Sequence, residues 1–155
     1  VGIDALAVLG VLKRRRTGTQ LLAHRAADRW HELTAEEVNV YLKRKSGGPF
    51  TAKDFRTWNA TMLAAPALAG SDDASHAARE REVKRAIKTV AAYLGNTPAV
   101  CRASYVDPRV IDRFHAGVMI APAIGRSGPD LARARVRARV EGAVLELLDG
   151  AANGP

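Results

Sequence analysis

The chain has 155 residues, 47% of them hydrophobic, a single cysteine, and a formal net charge of +8 with a pI near 10.2. That is enough for one domain with a sizeable core, it excludes a disordered tail, and a lone cysteine excludes an intramolecular disulfide, in keeping with a reducing cytoplasm. No apolar run approaches a membrane span, the first residues do not resemble a signal peptide, and the basic balance fits either a polyanionic partner held with salt-sensitive affinity or a solvated basic surface. The missing initiator Met gives the expectation of a chain cut from a longer one.

The first predicted element is a helix from Asp4 to about Arg16, with Leu6, Leu9 or Gly10, and Leu12 on one face. Its basic end, Lys13-Arg14-Arg15-Arg16, meets the negative end of the helix dipole, so those cations have a structural role available. Thr17-Gly18-Thr19 stops it. Leu21 to Trp30 reads as a short irregular segment with Trp30 in the core. Thr34-Ala35-Glu36-Glu37 is a capping box, and Val38, Tyr41 and Leu42 follow at helical spacing. That helix runs out through Lys43-Arg44-Lys45 into the Ser46-Gly47-Gly48-Pro49 loop.

A threonine cap at Thr51 opens the next helix, with Phe55, Trp58, Met62 and Ala65 on its inner side and Arg56 at the edge of that face. Pro66 to Asp73 reads as a break. The longest helix runs from about Ala74 to Leu94, with the apolar stripe Val83, Ile87, Val90 and Leu94 and the cations Arg79, Arg81, Lys84, Arg85 and Lys88 outside it. Past a further helix from Pro108 towards Val118 and a Pro/Gly-rich break at 121–128, the spacing of Val136, Val140, Ala143, Val144 and Leu147 predicts a last helix over Leu131 to Leu148. No segment reads as a strand and no repeat is present. The expected fold class is all-α, a single domain of about six helices over residues 1–155.

Between the longest helix and the one at Pro108 lies Leu94-Gly95-Asn96-Thr97-Pro98-Ala99-Val100-Cys101-Arg102-Ala103-Ser104-Tyr105. Gly95 is a natural residue to end a helix, because it enters the left-handed conformation without steric cost. Thr97-Pro98 is a start signal, a hydroxyl cap followed by a ring whose missing N–H costs nothing there. The new helix ends near Tyr105, since Asp107-Pro108 begins another. Asn96 is thereby placed in a turn and Tyr105 at the end of a short helix.

This segment, LGNTPAVCRASYVDP, resembles the nucleophile segment of type IB DNA topoisomerases of the bacterial and viral-like branch. Phe50-Thr51-Ala52-Lys53-Asp54-Phe55-Arg56-Thr57-Trp58-Asn59-Ala60-Thr61 resembles the second catalytic-arginine motif of the same family, and the two blocks stand in the family's order. With KRRRTG at Lys13 to Gly18 and AVLELL at Ala143 to Leu148 as weaker flanks, the resemblance covers nearly the whole chain. It implies the helical catalytic fold of the DNA breaking-rejoining enzymes and the relaxation of supercoiled double-stranded DNA in the cytoplasm, without ATP, metal or other cofactor. Tyr105 would be the nucleophile, forming a 3′-phosphotyrosine ester that stores the energy for resealing. Arg56 would hold two non-bridging oxygens of the pentacoordinate phosphorus, a contact worth roughly 3–4 kcal/mol by analogy with single oxyanion donors. Asn96 stands nine residues before the tyrosine, where the wider family commonly has histidine. An amide can donate to a phosphate oxygen but cannot act as a general acid near neutral pH, so it is either a site residue or a turn residue.

The family also uses an earlier arginine and a hairpin lysine, both upstream of the KRRRTG stretch. Lys13 and Arg14 to Arg16 do not sit in the matching motifs, so the chain is expected to be the C-terminal part of a catalytic domain with part of its site elsewhere. Cys101 reads as a small buried hydrophobe, and His24, His31, His76 and His115 lack metal-ligand spacing. Two other readings stand beside this one. A tyrosine recombinase shares the chemistry but usually has His-x-x-Arg where this chain has Lys53 to Arg56. A non-catalytic basic helical module would bind DNA by charge alone. The expected oligomeric state is a monomer.

Overall fold

The computed structural model describes residues 3–69, 75–120, 131 and 133–150. Seven helices and one two-stranded hairpin make up those residues, so the fold is mostly helical, as the all-α expectation has it. In order they are α1 (Ile3–Lys13), β1 (Ala23–Ala26), β2 (Arg29–Glu32), α2 (Ala35–Ser46), α3 (Ala52–Leu68), α4 (His76–Leu94), α5 (Pro98–Ser104), α6 (Pro108–His115) and α7 (Ala134–Asp149). The chain divides into two compact units, with the boundary between Ala52 and Lys53. The Pro/Gly-rich 121–128 stretch lies outside the described residues.

In the first unit, the segment expected to be irregular is an antiparallel hairpin, with Ala23 opposite Glu32, His24 opposite His31 and Ala26 opposite Arg29. Its two-residue turn is Ala27-Asp28, both at positive φ (44° and 64°). Turns of this kind favour Asn-Gly or Asp-Gly, so Ala-Asp carries no hairpin signal in the sequence. Trp30 is not a core residue: it is 38% exposed, with the Arg15 guanidinium 5.3 Å from its ring centroid. Glu32 draws the loop before the hairpin together by accepting from the Thr19 N–H at 2.6 Å and the Gln20 N–H at 2.9 Å, and those bonds hold its carboxyl below the usual carboxylate range. The expected capping box is present: Glu37 N–H donates to Thr34 Oγ1 at 3.2 Å, and Thr34 N–H donates to Glu37 Oε2 at 2.8 Å. No residue of α2 is buried, so its cap and its left-handed Gly47 terminus, rather than an apolar face, define it.

The second unit holds the core. α3 contributes Ala60, Met62, Ala64, Ala65 and Leu68; α4 contributes Val83, Ile87 and Val90; α6 contributes Val110, Ile111 and Phe114; and α7 contributes Val140, Val144 and Leu147. α4 packs on α5 and α6, and α6 on α7. Three expectations are corrected. Phe55 is 46% exposed and lies off the inner face of α3. α3 does not break at Pro66 but runs to Leu68, because a proline in the last turn forfeits few helical bonds and its buried ring packs in the core. Arg79 is not a solvent-facing cation: its guanidinium donates to the His115 carbonyl, tying α4 to the end of α6.

Thr61 is the one buried polar side chain among the described residues, at 1% exposure. Phe114, 1% exposed, is the largest fully buried side chain there. Phe114→Ala is expected to cost about 3–5 kcal/mol of unfolding free energy in urea titration, the range for emptying an aromatic core position.

Candidate active site at the tyrosine corner

The site is built from the way the chain leaves α4. Gly95 takes the left-handed conformation at φ 68°. Its N–H reaches back to Ala92 O at 3.3 Å and the Asn96 N–H reaches Ala91 O at 2.9 Å, the paired bonds of a Schellman terminus. Thr97 then caps α5, its Oγ1 accepting from the Val100 N–H at 3.3 Å, with Pro98 in the first turn. Seven residues later the helix ends, and Tyr105 occupies its C-terminal cap with its N–H on Cys101 O at 3.0 Å. Val106, 4% exposed, anchors the backbone directly after it. Asp107 caps α6, its Oδ1 accepting from the Arg109 N–H at 3.0 Å. The tyrosine is thus suspended between two short helices, each fixed at its start by a side-chain cap.

Arg56 comes to this corner from the first turns of α3. Its Nη2 donates to the carbonyl of Leu94 at 3.1 Å, and its guanidinium carbon stands 4.9 Å from the centre of the Tyr105 ring. The Schellman bonds occupy the Ala91 and Ala92 carbonyls, so Leu94 O, at the negative end of the α4 dipole, is open to a cation. Arg56 is exposed and Tyr105 half-buried, so both keep a face towards solvent. A guanidinium has five N–H donors, and the Leu94 bond uses only part of that fork.

Asn96 follows Leu94 by two residues. Its backbone N–H serves the turn, which is the role a turn residue would need, while its Nδ2 is buried without a hydrogen-bond partner among the described residues. A buried amide donor left unpaired costs roughly 1–3 kcal/mol. Cys101 lies beneath, with no exposure. Burial pushes its thiol up, against the opposing charge of Arg56, and it packs as a small hydrophobe.

The family model for the catalytic core of eukaryotic DNA topoisomerase I matches residues 9–117, more than half of the chain. The chain belongs to the DNA topoisomerase I family. No individual curated protein matches it. The topoisomerase match spans Arg56, Asn96 and Tyr105 and stops before α7. It makes DNA the substrate class, and of the two strand-transfer families considered from sequence it selects the topoisomerase. Among the described residues, no helix is long and apolar enough to cross a membrane.

Two features of this corner are not visible as motifs. One is the Leu94 carbonyl as the seat of Arg56, a main-chain group that any residue would supply. The other is Thr61, whose Oγ1 accepts from the Asp107 N–H at 3.1 Å while donating to Thr57 O at 2.8 Å. The histidines pair spatially as well: His24 stacks on His31 across the hairpin at 5.5 Å, and His76 on His115 at 5.8 Å.

The Asp107 cap gives a pH prediction. The side-chain hydrogen bond from Arg109 holds its carboxyl below the usual carboxylate range, helped by the Arg109 N–H and charge and opposed by burial. Its stabilising contribution is therefore complete above the ordinary aspartate value of about 3.9 and is lost as pH falls through the lowered native value. Asp107→Asn keeps a cap and removes the titrating group. Its chemical-denaturation stability should fall less steeply than wild type below about pH 4.

Proposed function

We propose that this chain carries the nucleophile half of a type IB topoisomerase site, which nicks one strand of duplex DNA, allows rotation and reseals it. Tyr105 Oη attacks the scissile phosphorus as its proton passes to solvent, the bond from phosphorus to the 5′ oxygen breaks, and a 3′-phosphotyrosine ester remains until the 5′ hydroxyl returns. The observation that carries this reading is the Arg56 guanidinium 4.9 Å from the Tyr105 ring, held there by the Leu94 carbonyl. In this reading the guanidinium beside the ring turns its free donors to the non-bridging phosphate oxygens, where negative charge gathers in the transition state. Asn96, with a buried donor and no partner among the described residues, is the second phosphate ligand in this reading.

Resealing draws on the energy of the ester, so neither ATP nor a metal ion enters. The proton for the leaving 5′ oxygen comes, in the resemblance to the family, from an upstream hairpin lysine, and an upstream arginine completes the phosphate clamp. Exposed Arg81, Lys84 and Lys88 on α4 and Arg102 on α5 supply the cations for sequence-independent phosphate contacts. The reading makes the protein a nucleoid-associated cytoplasmic monomer and the chain the C-terminal part of its catalytic domain.

Covalent capture on a nicked suicide duplex, in EDTA and without ATP, tests the reading. A protein–DNA adduct is expected with Tyr105 and none with Tyr105→Phe; equal capture by both forms, or none by either when the upstream arginine and lysine motifs are supplied, overturns it. Arg56→Ala should lower the capture rate about 10²- to 10³-fold, the range for losing one oxyanion donor, while duplex affinity measured by fluorescence anisotropy changes by a much smaller factor.

A further inference from the structure

We infer that Thr61 is a positioning residue for strand cleavage: it locks the nucleophile corner to the helix that carries Arg56. The inference deepens the proposed function and rests on it. α3 bears Arg56 near its start and Thr61 further along, and Thr61 is buried, at 1% exposure. That hydroxyl receives the N–H of Asp107, two residues after Tyr105, at 3.1 Å. The bond joins residues far apart in sequence, and its acceptor is fixed from the other side because the same hydroxyl donates to Thr57 O at 2.8 Å.

The local alternative sets the argument. At α2 the N–H of the cap residue Thr34 is satisfied within its own helix by Glu37, the third helical residue. At α6 the corresponding residue is Val110, which has no acceptor to offer and is buried in the core. The Asp107 N–H would be an orphan there, and Thr61 fills the role from a different helix. A local cap would hold α6 together equally well but would leave apolar packing alone, through Val106 and Val110, between this end of the corner and α3. The long-range bond instead fixes the backbone next to Tyr105 on the element that places the guanidinium. Arg56 on Leu94 O holds one side of the corner and Thr61 on the Asp107 N–H holds the other, so the tyrosine is registered on α3 from both ends.

Thr61→Val keeps shape and burial and deletes the acceptor; Thr61→Ser keeps the acceptor. Three measurements apply to wild type, both variants and Tyr105→Phe: the single-turnover covalent capture rate on the suicide duplex, duplex affinity, and the ¹³C-labelled tyrosine NMR spectrum. Tyr105→Phe assigns the Tyr105 signal among the three tyrosines. With Val, capture should slow about 10- to 100-fold at unchanged duplex affinity, the scale expected for a misplaced reacting group, and the Tyr105 signal should move while the other two tyrosines stay. Ser should restore both the rate and the signal. An unmoved Tyr105 signal in Thr61→Val overturns the inference, and so does wild-type capture by that variant or an equal defect in Thr61→Ser. With the upstream arginine and lysine motifs supplied, a wild-type protein without a Tyr105-dependent adduct defeats the proposed function instead, and the NMR comparison still decides the role of Thr61.

Discussion

The left-handed turn at Gly95 is the constraint from which the second unit's site follows. By turning the Gly95 and Asn96 N–H groups back onto the end of α4, it occupies the Ala92 and Ala91 carbonyls and leaves that of Leu94 to Arg56. The same turn sets the direction in which α5 departs, and α5 is too short to correct an error in it. An alanine at Gly95 would meet no atom within 4 Å, so what fixes glycine there is backbone conformation at φ 68° rather than space. One dihedral angle thus decides both where the tyrosine emerges and which carbonyl the arginine can hold.

The chemistry of the corner depends on a second balance. Among the described residues, the Arg56 guanidinium rests on a helix-terminal carbonyl and an aromatic face, which occupy only part of its donor fork. Arg109 is the contrast: its side chain is closed on Asp107 through two bonds at 3.1 and 2.8 Å, and each group stabilises the charge of the other. Arg137 is similarly engaged, by Glu141 at 2.9 Å and Asn59 at 3.3 Å. Basic residues in this unit therefore divide into those that bind the protein and those that face outward, and the net charge of +8 does not distinguish them.

The sequence made the tyrosine corner legible because every step in it is local. Gly95, Thr97-Pro98 and Asp107-Pro108 are punctuation marks whose meaning needs no knowledge of the rest of the chain, and the capping box at Thr34 is of the same kind. The approach of Arg56 came from motif resemblance alone, since helical periodicity places it on an edge and says nothing of what that edge meets. The hairpin was hidden for a definite reason: its turn uses Ala27 at a positive φ that alanine seldom adopts, and its strands alternate weakly. Pro66 misled in the opposite sense, because burial of the ring outweighs the loss of one late helical bond. In the sequence Thr61 is only the last letter of a motif. Its partner is a backbone N–H, and main-chain groups leave no mark on a sequence.

The wiring of the corner also bears on the order in which it assembles. α4, α5 and α6 are consecutive, and their caps close over a few residues each, so their loop-closure entropy is small. The Arg56–Leu94 and Thr61–Asp107 bonds close far longer loops and add no local structure of their own. Contacts of high sequence separation come late when local ones can form first. The nucleophile would then be presented before its electrostatic partner docks, giving φ-values near zero at Thr61 and substantially higher ones at Thr97 in folding kinetics. In that order of events, a newly made chain acquires the geometry of its tyrosine early and its reactivity only at the final closure of α3.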